Sequence, residues 1–136
     1  RDVTILYRLF QASRDAEGTA AACCLAVAAV WDFGTEFSRT RPWLRRMTRL
    51  IASPKISPLA RSALQAFVAL VYIFHEGRLK EAIEILGQQR REAEAARSAA
   101  MMLYGATLEA LAHAYGGDTE RALLVLEDAA PFREKA

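Results

Sequence analysis

No apolar run in this chain reaches the roughly 20 residues a helix needs to cross a bilayer. The longest nearly apolar stretch runs only from Thr19 to Trp31, so no membrane span is expected. Cysteine is scarce, and the two present, Cys23 and Cys24, are neighbours. Adjacent residues on a helix point about 100° apart, which makes a bridge between them strained; reduced, buried thiols in a cytoplasmic protein are the expectation. Histidine is equally scarce. Neither His75 nor His113 has a second ligand at metal spacing, so no metal site is predicted. Gly116-Gly117 lacks the lysine that follows and the strand that precedes a phosphate loop, and no glycine-framed nucleophile turn is written; no catalytic residue and no cofactor is predicted, and the chain is read as a non-enzyme. Glu81, Glu84, Glu92 and Glu94 crowd one stretch but alternate with Lys80, Arg90 and Arg91, which describes a solvated helix face. The chain opens at Arg1 with no basic-then-apolar leader, and is expected to be a segment of a longer polypeptide.

What is present is helix. Val3, Leu6, Tyr7 and Phe10 recur at three- and four-residue spacing behind Asp2, the pattern of an amphipathic first helix. Asp15-Ala16-Glu17-Gly18 interrupts it, and Thr19 to Trp31 follows as a buried helix rich in small residues. Thr40-Arg41-Pro42 opens a third helix, with Trp43, Leu44, Met47, Leu50 and Ile51 on one face, closed by Ala52-Ser53-Pro54. Ser57-Pro58 begins a fourth that continues to about His75 and stops at Gly77. Helices from Arg78 to about Ala95, from Ser98 to Tyr115 and from about Ala122 to Ala130 complete a count of seven, with no convincing strand.

Two of these stretches obey one rule. Leu70, Gly77, Ala82 and Leu86 are repeated about forty positions on as Ala110, Gly117, Ala122 and Leu126. In each, an apolar helical run ends at glycine and a second apolar stripe opens five residues later. A single hairpin cannot offset the conformational entropy of ordering its residues, about 1.5 kcal/mol each; a neighbour supplies the second apolar wall. The expected architecture is all-α, a right-handed superhelix of stacked antiparallel helical hairpins. Residues 1–18 form a capping helix, and 19–53, 57–95 and 98–130 form the hairpin units of a single domain, 1–136.

The spacing resembles the tetratricopeptide repeat over about Ser62 to Ala130, and in outline over Thr19 to Ser53. The tryptophan and tyrosine usual in the first repeat helix are missing, and the unit is longer than the standard 34 residues. Long, degenerate units of this kind look like the superhelical arms of MalT-type bacterial transcriptional regulators and related signalling ATPases. The resemblance implies a scaffold for a protein or peptide partner, for other domains of the parent chain, or for a small-molecule inducer. It also implies that the first helix of each pair lines an inner groove, formed by Leu64, Phe67, Val71, Phe74 and His75 of one unit and Tyr104, Thr107, Leu111 and Tyr115 of the next; the alternative is that these residues are ordinary core.

Charge offers a rival surface. Arg39, Arg41, Arg45, Arg46, Arg49, Lys55 and Arg61 fall in one segment without an acid, whereas the flanking segments carry net −2 and −3 within a total of +2. A shared face would suit an acidic protein partner better than nucleic acid, since no helix-turn-helix spacing, zinc ligands or RNA-binding signature accompanies it. Apolar faces left at the ends of a cut array make a homodimer a third expectation.

Overall fold

The computed structural model describes residues 2–33 and 36–136; Arg1, on which the reading of a longer parent chain rests, lies outside them. Among the described residues there are seven α-helices and no strand: α1 (Asp2–Ala12), α2 (Ala16–Phe33), α3 (Thr40–Ile51), α4 (Pro58–Val71), α5 (Leu79–Ala95), α6 (Ala99–Tyr115) and α7 (Thr119–Ala129). A π turn, Tyr72–Glu76, continues α4, and short 3-10 turns precede α3 (Phe37–Arg39) and follow α7 (Ala130–Phe132).

One joint is used three times. After α1, α5 and α6 a residue takes positive φ: Arg14 at 57°, Arg97 at 52°, Gly117 at 86°. The next residue donates its N–H back to a carbonyl of the finished helix, Asp15 to Phe10, Ser98 to Ala93 and Asp118 to His113, which satisfies carbonyls the helix end would otherwise leave bare. That same residue then caps the following helix with its side chain, accepting from Gly18 at 2.9 Å, Met101 at 3.2 Å and Arg121 at 3.0 Å respectively. The first joint corrects the expected start of helix two. Asp15 caps it, so α2 begins at Ala16 and Gly18 lies inside its first turn, where an added methyl would run into Phe10 of α1.

Each helix packs on the next, and a second set of contacts joins α2 to α4 and α4 to α6; no comparable row joins α3, α5 and α7. Buried alanines are more numerous on the even-numbered helices, Ala20, Ala22 and Ala26 on α2, Ala66 and Ala69 on α4, and Ala106, Ala110 and Ala112 on α6, than on α5 (Ala82, Ala93) and α7 (Ala122, Ala129), and small side chains permit close approach. Met47, Leu64, Val68, Val71, Leu86, Val27 and Cys23 fill the main core. A buried polar tie crosses it: Gln89 of α5, 1% exposed, donates to Ser62 Oγ of α4 at 3.0 Å and to the Met101 carbonyl of α6 at 2.8 Å. At the starts of α2 and α4, the Glu17 carboxylate accepts from both the backbone N–H and the hydroxyl of Ser57.

Taken through its π turn, Pro58–Glu76 is long and apolar enough to cross a bilayer, a length the apolar-run reading of the sequence did not reach; half of that stretch is buried inside the fold. It packs against α2, α3, α5 and α6, and a core helix surrounded in this way is apolar for that reason.

Candidate partner-binding face

Ala20, Ala21 and Cys24 of α2 and Leu59, Ala60 and Ala63 of α4 line a trough of about 370 Å³ with Glu17 at one end, a volume within the range of ligand pockets. Leu25 and Leu59 are 52% and 50% exposed. Farther along α4, Phe67 meets Tyr104 of α6, their ring centroids 6.3 Å apart.

At the C-terminal ends of the same three helices the aromatics form a ladder. Trp31 packs edge-on to Phe74 at 4.8 Å, and Phe74 edge-on to Tyr115 at 5.7 Å. His75 is stacked between Phe37, at 4.1 Å, and Trp31, at 5.6 Å, and among the described residues neither of its buried ring nitrogens meets a hydrogen-bond partner. Burial lowers its pKa from the ordinary histidine value, with Glu76 opposing weakly. The π turn carries Tyr72, Phe74 and His75; such wide turns recur where a helix serves a functional site.

Of the groove residues read from the sequence, Phe67, Phe74, His75, Tyr104 and Leu111 are half-buried and Thr107 and Tyr115 are exposed. Leu64 and Val71, both 0% exposed, belong to the core and are unavailable to a partner; they lie on the side of α4 that faces inward. Trp31 and Phe37 join the aromatic ladder and Leu59 the trough without having been singled out, and Cys24, expected as a buried thiol, is only half-buried and lines the trough beside the buried Cys23. A signal for Trp31 existed: it precedes Phe74 by about the interval that separates Phe74 from Tyr115 and Gly77 from Gly117.

The seven basic residues do not share one face. Arg61 is a clamp: its guanidinium donates to the Ile51 carbonyl at 3.0 Å and the Ser53 carbonyl at 2.7 Å, at the end of α3, and meets Glu92 of α5 at 3.5 Å. Arg39 pairs with Glu36 at 3.1 Å. Arg41 and Arg45 are exposed on α3, and Arg46, Arg49 and Lys55 turn toward a separate cavity beside α1.

Cys23 and Cys24 are free thiols, and burial pushes each pKa up to about 12, so neither is a thiolate nucleophile near neutrality. Burial likewise raises the Tyr104 phenol. Among the described residues no three His, Cys, Asp or Glu side chains converge as a metal site would require. Comparison with protein-family models, curated proteins and solved structures gave no match.

Proposed function

We propose that this chain is a non-catalytic binding scaffold whose even-helix face receives an apolar, helical or extended segment of a protein partner. In this reading α2–α3, α4–α5 and α6–α7 are antiparallel hairpins stacked as a right-handed superhelix of tetratricopeptide type, with α2, α4 and α6 as the inner row. The closer approach of that row supports the assignment, because the side on which helices crowd is the inside of a curve. The observation that carries the function is a mainly apolar trough between α2 and α4, with exposed Leu59 in its wall and exposed Leu25 also on α2, together with the aromatic ladder that ends in exposed Trp31 and Tyr115. Exposed apolar patches rimmed by polar residues mark interaction sites, and aromatics with a polar tip suit a wet interface. The unpaired cysteines fit a reducing, cytoplasmic setting. A place in a larger regulatory or signalling protein rests on the tetratricopeptide-like spacing alone.

Selection of a random peptide library on the folded chain tests the reading. The expected binders carry apolar residues at helical or alternating spacing and lose about tenfold or more in affinity for a Leu25→Glu, Leu59→Glu variant, whose substitutions sit on exposed positions and leave the far-UV circular dichroism unchanged. Peptides that bind wild type and variant equally well would place recognition elsewhere.

A second reading, self-association through the ends of the helix row, is favoured by one observation: Leu123, Leu124 and Leu126 of α7 are 56%, 51% and 43% exposed, and Ile5, Leu6 and Leu9 of α1 are 52%, 40% and 61% exposed.

A further inference from the structure

A second cavity, of about 320 Å³, opens where α1, the start of α2 and α3 meet. It stands apart from the even-helix face and does not depend on that reading. Its walls carry four cations, Arg14, Arg46, Arg49 and Lys55, against a single carboxylate, Asp15. Asp15 is committed to capping α2, its Oδ1 accepting the Gly18 N–H at 2.9 Å. Among the described residues, none of the four cations lies within 4.0 Å of a carboxylate, although Arg39, Arg61, Arg78 and Arg90 all do. Like charges gathered around one concavity raise its potential and favour a bound anion.

The central cation is held in place. The Arg46 guanidinium lies 4.6 Å over the Tyr7 ring and 4.4 Å over the Trp43 ring, and the two rings meet edge to face at 5.5 Å. Stacking of this kind fixes the plane of the guanidinium while leaving its N–H edges for a ligand. Arg49 stands one turn further along α3, and Lys55 adds a point charge from the loop after it. Planar forks beside an ammonium, with a net excess of three positive charges, match the three terminal oxygens of a phosphate group better than a single carboxylate. Tyr7 and Leu50 give the same cavity an apolar wall.

We propose that this cavity binds a small phosphate-bearing organic molecule, its phosphate gripped by Arg46, Arg49, Arg14 and Lys55 and its organic part resting against Tyr7 and Leu50. Titration of the chain with inorganic phosphate, glucose 6-phosphate, AMP and a short single-stranded oligonucleotide, read by calorimetry and by the emission of Trp43 in a Trp31→Phe background, tests it. The expected result is saturable one-to-one binding of at least one phosphomonoester more tightly than of inorganic phosphate. Its dissociation constant should rise about tenfold or more in Arg49→Gln and in Arg46→Met, and stay unchanged in the exposed-surface variant Arg41→Gln, Arg45→Gln. Arg49→Gln and Lys55→Gln alter exposed side chains and keep the test valid should Arg46→Met unfold. Three results would each overturn the proposal: no binding of any phosphomonoester up to millimolar concentration, equal losses in the cavity and surface variants, or binding confined to the oligonucleotide.

Discussion

His75 is a titratable side chain stacked between two rings, with no hydrogen-bond partner at either nitrogen among the described residues. Burial lowers its pKa in the folded state, so the unfolded chain binds the proton more readily. Its contribution to stability is therefore full above the unfolded value of about 6.5 and is lost as pH falls below it. Denaturant midpoints measured between pH 7.5 and pH 5 are expected to fall more steeply for wild type than for His75→Phe, which keeps the stacking and removes the titration; parallel profiles would contradict this. The packing of His75 was out of reach of sequence reading, because its neighbours Trp31 and Phe37 come from another part of the chain. The contrast between Leu86 and Leu126 makes the same point. Both stand at the same position of the repeated pattern, yet Leu86 is 1% exposed and Leu126 is 43% exposed, since α5 packs between α4 and α6 whereas, among the described residues, α7 packs chiefly on α6.

At the scale of elements, α6 approaches α5 where Gly105 faces the buried Gln89 side chain. A methyl at Gly105 would collide with that amide, which is already fastened to Ser62 and Met101 and has no solvent to turn toward. Gly105→Ala is expected to cost about 1–3 kcal/mol, measured by chemical denaturation; an unchanged midpoint would mean the amide moves aside freely. Most helix ends were legible, because the chemistry that sets them is local: Ser57 with Pro58, Ser98, and Asp118 behind Gly117 are written side by side. The start of α2 was not, because Arg14 takes the left-handed conformation that glycine takes at Gly117, and an arginine does not announce a turn. The π turn at Tyr72–Glu76 was also invisible, since nothing in YIFHE itself departs from ordinary helix and the aromatics packed around Phe74 and His75 lie outside it.

For the molecule as a whole, the all-helical class and the seven helices followed from periodicity, whereas the sorting of the basic residues did not. Seven cations in one segment look alike in sequence; burial and partner make Arg61 a clamp and Arg46 a stacked cation. The exposed leucines of α7 bear on assembly. If the row continues through that end, light scattering should show concentration-dependent association of the wild type and a monomer for Leu123→Lys, Leu124→Lys, both at exposed positions; identical masses at all concentrations would exclude this surface. The joints at Arg14, Arg97 and Gly117 have a further consequence. Each closes on itself within a handful of residues, through its own backbone bonds and its own cap, and asks nothing of distant parts of the chain. A connector specified this locally fixes the direction of the chain through adjacent residues alone, whatever the helices on either side go on to meet.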